Sequence, residues 1–93
     1  MGKITKIVTI GHKQGLHLSP ASIFAEKARQ FNSEILISSE DNPGEKWNGK
    51  RVIELMSLGA VYNSKLVIEI NGDDAEEAAS TLTKLVDDNF GLK

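Results

Sequence analysis

The residues best suited to chemistry lie near the start of the chain, in Gln14-Gly15-Leu16-His17-Leu18-Ser19-Pro20. His17 stands just ahead of an apolar pattern with helical spacing, and Pro20 falls in that helix's first turn. A helix start leaves backbone N–H groups unpaired and carries the positive end of the macrodipole, a ready place for a phosphate. Imidazole is a nucleophile at neutral pH and forms covalent intermediates. Together these parts point to a histidine able to carry a phosphoryl group. The plainer reading is a solvent-facing loop histidine.

Other chemistries fit less well. His12 lies five residues before His17, but no cysteine or neighbouring carboxylate cluster joins the pair. No metal site is therefore expected, and His12 reads as a loop residue. A Ser19–His17 nucleophile–base pair has no recognisable orienting carboxylate, and Ser19 is better explained as a helix cap. Gly15, Gly59 and Gly72 are isolated turn or cap glycines, unlike a phosphate-cradling loop. The acidic run from Asp73 to Glu77 suits the solvated first turn of a helix.

The elements that must position His17 follow from periodicity. Lys3 to Ile10 alternates and is rich in β-branched residues, which predicts a strand. Ala21, Phe24, Ala25, Ala28 and Phe31 recur at helical spacing, with Ser19 as N-cap and Pro20 as first helical residue, or either a residue or two further in, and an end near Asn32. Glu34 to Ser39 predicts a second strand. Asp41-Asn42-Pro43-Gly44 predicts a turn, and Glu45 to Gly49 a short third strand in which Trp47 fills space beside Gly49. A short helix fits Arg51 to Leu58, with Val52, Leu55 and Met56 inward and Gly59 at its end. Lys65 to Ile70 predicts a fourth strand, with a turn at Asn71-Gly72. Asp73 or Asp74 caps a last helix with the stripe Ala78, Ala79, Leu82, Leu85 and Val86. The order βαββαβα implies an α+β domain, a sheet with helices on one face.

Composition narrows the function classes. Ninety-three residues without an internal linker or repeat predict one domain, 1–93. There is no cysteine, so neither disulfides nor thiolate metal sites are expected, and a reducing compartment suits the chain. A formal net charge of -2 argues against broad nucleic-acid binding. No apolar run reaches the roughly 20 residues of a membrane span, and the N-terminus has no secretory hydrophobic region. A cytoplasmic monomer without membrane insertion is expected, and nothing calls for a cofactor.

The chain also resembles the histidine-containing phosphocarrier (HPr) family of the bacterial phosphotransferase system. The resemblance spans nearly the whole length. It rests on Gly15-Leu16-His17, Pro20-Ala21, the Phe24 and Phe31 positions, Ser33-Glu34-Ile35, Leu55-Met56-Ser57-Leu58-Gly59-Ala60 and Asn71-Gly72-Asp73-Asp74-Ala75-Glu76-Glu77-Ala78. It implies an open-faced β-sandwich, a four-stranded antiparallel sheet covered on one face by three helices. It also implies a stoichiometric carrier, not an enzyme with its own turnover. Enzyme I, charged from phosphoenolpyruvate, would phosphorylate Nδ1 of His17, and A-type enzyme II components would receive the group for sugar uptake. The N–H groups of Leu18 and Ser19 can hold the phosphate oxygens. By the same carry-over, Leu18, Pro20, Ile53 and Met56 form the partner-docking patch, rimmed by Lys27, Arg29, Lys50 and Arg51.

Two positions depart from the family pattern. Most members have an arginine two residues after the histidine, where this chain has Ser19. The family's regulatory serine follows a lysine at the start of the second helix, and here that pair is Lys50-Arg51. The family fold brings the two helix starts together, so Arg51 is placed to supply a guanidinium to the phosphoryl group. The alternatives are an HPr-like regulatory module of the nitrogen-related branch and a non-phosphorylated HPr-like binding domain.

Overall fold

The structure, a computed structural model, describes residues 2–92. In chain order come β1 (Gly2–Thr9), α1 (Leu18–Ala28), β2 (Glu34–Ser39), β3 (Asn42–Asn48), α2 (Val52–Leu58), β4 (Lys65–Gly72) and α3 (Ala75–Asp87). A single 3-10 turn, Asn89–Gly91, follows. The four strands form one sheet in the order β1-β4-β2-β3, and every pairing is antiparallel. This is the open-faced sandwich with the βαββαβα order that the sequence predicts.

Strand alternation sends Val8, Ile35, Ile37, Leu66, Ile68 and Ile70 to the face beneath the helices, where all are buried. Against them pack Phe24 and Ala25 of α1, Leu55 of α2, and Ala78, Ala79, Leu82 and Val86 of α3. The other face stays open. There Glu69 of β4 receives Lys46 from β3 at 3.0 Å and Lys3 from β1 at 3.7 Å. The Lys46 hydrogen bond above all holds the Glu69 carboxyl below its usual range.

Several boundaries differ from expectation. The hairpin turns at Glu40 and Asp41, two positions earlier than a turn over Asp41–Gly44, and Asn42 already pairs with Ser39. Ser39 Oγ accepts the Asp41 N–H at 3.2 Å, and the register shifts between Ile37 and Ser39. Pro43 therefore lies within β3, and it is tolerated because β3 is an edge strand with one unpaired side. Asn71 and Gly72 belong to β4 and are not a turn. A Cβ on Gly49 would lie 2.7 Å from Ile35 Cγ2 and 3.2 Å from Ile37 Cγ1, so it is β2, not Trp47, that fills the space beside Gly49.

The helices carry further corrections. α1 begins at Leu18 with His17 as its N-cap, and it ends at Ala28. Ser19 and Pro20 are thus its second and third residues, the inward placement that the sequence also allows. Proline fits there because N–H groups in the first helical turn have no intrahelical acceptor to lose. In α2, Leu55 is buried, Val52 is half-buried and Met56 is exposed. Asp74 is the N-cap of α3 by position, yet its carboxylate does not cap that helix. It accepts the N–H of Asn32 at 2.8 Å, the N–H of Ser33 at 2.9 Å and the Ser33 hydroxyl. Those bonds, the hydroxyl first, lower the Asp74 pKa and pin the loop between α1 and β2 to the start of α3.

Past α3 the backbone turns left-handed at Asn89 (φ 57) and Phe90 (φ 59). Such a conformation costs an L-residue about 1–2 kcal/mol. Burial of the Phe90 ring, 3% exposed, offsets it. The chain end is thereby turned back toward the loop that precedes α1.

Candidate functional site

His17 is held from both sides by buried neighbours. On one side Leu16 is buried and its N–H donates to Ala60 O at 2.9 Å, while Gly15 N–H donates to His12 O at 2.8 Å. Ile10, also buried, exchanges bonds with the same remote segment: its N–H donates to Ser64 O and its carbonyl accepts Asn63 N–H. On the other side Pro20 and Ala21, in the first turn of α1, are buried. The histidine between them is exposed. Apolar anchors fix its backbone and leave its ring in solvent.

The helix start then dictates what lies beside the ring. His17 has extended backbone (φ −79, ψ −174), and its carbonyl accepts Ala21 N–H at 2.9 Å, the first bond of the helix. Its side chain makes no capping bond, so the imidazole is not consumed by the helix. Of the three preceding N–H positions, Pro20 has no hydrogen. The donors left at this helix start are therefore Leu18 and Ser19. An oxyanion attached to His17 meets two backbone donors and the positive end of the α1 dipole.

His17 and Ser19 line a hollow of about 220 Å³ together with His12, Gln14, Pro20 and Leu92. Among the described residues, no lysine or arginine lines it. Local sequence reading missed Gln14, His12 and Leu92. Leu92 arrives through the turn at Asn89–Gly91, a tertiary event with no local signal, and His12 lies in the loop before α1, as expected, with its side chain lining the hollow.

The predicted rim cations divide. Arg51 is the N-cap of α2, and its Nε lies 3.5 Å from Glu54 Oε2. Glu54 also accepts Asn48 N–H at 2.8 Å through its other oxygen. Lys50 Nζ donates to Phe31 O at 2.6 Å, and Arg29 Nη1 donates to Lys50 O at 3.0 Å. These two tie the end of α1 to the entry of α2. Lys27 lines a groove with Ser80, Thr81, Lys84, Leu85 and Asp88, which includes no residue of α2.

Several large apolar side chains are exposed. Leu18 is 54% exposed, Ile53 74% and Met56 40%, and Val61 and Tyr62 are also open. Pro20, in contrast, is buried and forms the floor of the hollow.

Comparison with known proteins agrees with this geometry. The family model described as "PTS HPr component phosphorylation site" matches residues 4–88. The phosphocarrier protein HPr of Borreliella burgdorferi is 38% identical over 84 residues, covering 90% of this chain and 94% of its own. That of Neisseria meningitidis is 34% identical, covering 90% and 91%. A multiphosphoryl transfer protein of Salmonella typhimurium is 30% identical over 78% of this chain, which is 19% of that longer protein. Among solved structures, HPr-C-His from Thermoanaerobacter tengcongensis superposes with a TM-score of 0.85 at 33% identity, covering 100% of this chain and 99% of that one.

Proposed function

Because the chain belongs to the HPr family of phosphotransferase-system phosphocarriers, we propose that His17 accepts a phosphoryl group from phospho-enzyme I and passes it to an A-type enzyme II component for sugar uptake. The observation that carries this reading is the His17 ring: exposed, unused by its own helix, and set beside the free N–H groups of Leu18 and Ser19. The Nδ1 lone pair forms the N–P bond as the donor's bond to phosphorus breaks, and Nε2 keeps the ring proton. Transfer onward reverses this, so the protein is regenerated without turnover of its own.

Phosphoryl transfer asks for position and charge stabilisation more than for covalent machinery. The helix dipole contributes roughly 0.3–1 kcal/mol at an exposed site. That is a modest hold, suited to a group that must leave again. Arg51 adds a guanidinium only by leaving Glu54, and an exposed pair of that kind is worth about 0–1 kcal/mol. Leu18, Ile53 and Met56 supply the apolar contact for partners, with Lys50 and Lys27 flanking it. All these groups come from residues 1–93 of one chain, so we read the working unit as a single-domain cytoplasmic monomer.

The start of α2 offers no serine hydroxyl, since Arg51 is its N-cap and Val52 its first residue. Serine phosphorylation at that helix start has no acceptor here. The deciding experiment is incubation with enzyme I of the source organism and labelled phosphoenolpyruvate. The expected result is acid-labile, base-stable label that disappears in His17→Ala. No label on the wild-type protein would overturn the reading.

A further inference from the structure

A phosphoryl group on His17 brings close to two negative charges into a hollow that, among the described residues, no lysine or arginine lines. Apart from the acceptor, one lining side chain can become a cation: His12. We infer that His12 is a second phosphoryl-binding residue, donating Nε2–H to the phosphoryl oxygens on His17 while Asn89 orients its ring from behind. The inference rests on the reading of His17 as acceptor.

The orientation comes from two enclosed polar atoms. His12 Nδ1 is shut off from solvent and has no hydrogen-bond partner, and the same holds for Asn89 Oδ1. Both residues line a second hollow, of about 410 Å³, with Gly11, Lys13 and Gln14. The Asn89 amide has a fixed sense, because its Nδ2 donates to Leu92 O at 3.2 Å. Its Oδ1 is therefore an acceptor in want of a donor. A proton on His12 Nδ1 answers it, directly or through one water, for which the hollow has room and polar partners. With Nδ1 turned to that side, Nε2 is the ring nitrogen left for the hollow shared with His17. The left-handed backbone at Asn89 holds the acceptor in place.

The charges around His12 favour the assignment. Among the described residues, the titratable ones lining the two hollows are His12, His17 and Lys13, with no carboxylate among them. Nothing in either lining neutralises an imidazolium before the phosphoryl group arrives. Arg51, by comparison, is absent from both linings and already faces Glu54.

The test uses the full chain, enzyme I of the source organism and phosphoenolpyruvate. His12→Gln, which keeps a donor but not the charge, is expected to lower the equilibrium constant for phosphorylation about five-fold. His12→Arg, which keeps the charge, is expected to stay within about two-fold of wild type, whereas a merely structural role would penalise both. Nitrogen NMR of the wild-type ring is expected to show a slowly exchanging His12 Nε2–H, coupled to phosphorus, only after phosphorylation. Absence of that signal in phosphorylated protein overturns the inference, whatever the variants do, and it decides alone if they fail to fold. Wild-type label at His17 with an unchanged His12→Gln equilibrium also overturns it and leaves the carrier reading standing. Absence of any label overturns the carrier reading instead.

Discussion

Gly15→Ala should disable the site without touching any group that contacts phosphate. Gly15 has φ 73, and a Cβ there would collide with the carbonyl oxygen of Ala60 and come within 3.0 Å of Val61 Cα. Alanine in that conformation costs about 1–2 kcal/mol. The clash is with backbone, so relief requires the loop to move, at about 1–3 kcal/mol for a forced shift. Movement also endangers the bond from Leu16 N–H to Ala60 O, worth about 1 kcal/mol net. Against this, alanine restricts the unfolded chain and returns about 0.4–1 kcal/mol. The balance is a loss of about 2–5 kcal/mol, or roughly 10–40 °C in Tm for a chain of this size. Urea unfolding followed by circular dichroism measures it, with Gly11→Ala as control, since a Cβ at Gly11 meets nothing nearer than Asn89 Oδ1 at 4.0 Å. Phosphorylation by enzyme I, assayed where the variant is fully folded, should slow because the start of α1 is displaced. A Gly15→Ala protein within about 0.5 kcal/mol of wild type would refute the argument.

Three further outcomes are expected. Leu55 is the one buried side chain of α2, so Leu55→Ala should cost about 2–5 kcal/mol in urea melts with little change in m-value. Ile53→Ala removes a side chain that is 74% exposed; stability should move by less than about 0.5 kcal/mol while the rate of phosphoryl exchange with enzyme I falls. The Asp74 and Glu69 carboxyls both have lowered pKa values in the folded protein. The stability they contribute is therefore present above the unfolded carboxylate range and is lost as pH falls through the folded values. Urea midpoints measured from pH 7 to about pH 2 should fall on acidification, and Asp74→Asn should flatten that fall; an unchanged pH dependence in the variant would count against the Asp74 contacts as its cause.

Much of the fold was legible because the sheet is buried on one side and each helix packs through one stripe. β1 shows the principle and its limit: Val8 and Ile10 are buried as the alternation requires, while Lys6 on the same side stays exposed at an edge strand. The stripe of α3 was likewise readable, with Ala78, Ala79, Leu82 and Val86 all buried. His17 could be read from its own neighbours, since Leu16 and Pro20 anchor the chain on either side of it. What sequence reading misplaced depended on choices local rules do not rank. Ser19 and Pro20 carry the right side chains for a helix start, but the His17 carbonyl accepts the first helical bond, which any residue can do. Asp74 has the right side chain for a cap, yet the loop at Asn32 and Ser33 offers it three donors. The neighbourhood of His12 depended on the course of the chain end, which no nearby pattern announces.

The anchoring of Leu16 on Ala60 and of Ile10 on Asn63 and Ser64 has a consequence for synthesis. A nascent chain that has released only its first half contains His17, Leu18 and Ser19, but not the segment that holds their loop. That segment is fixed in turn by β4, whose partner β1 pairs Gly2 with Gly72 and Thr9 with Lys65. Contacts so distant in sequence close late and slowly in folding. The His17 loop is therefore held in its final shape only once most of the polypeptide has emerged from the ribosome. Chains truncated before residue 60 carry the histidine without the segment that holds its loop in place.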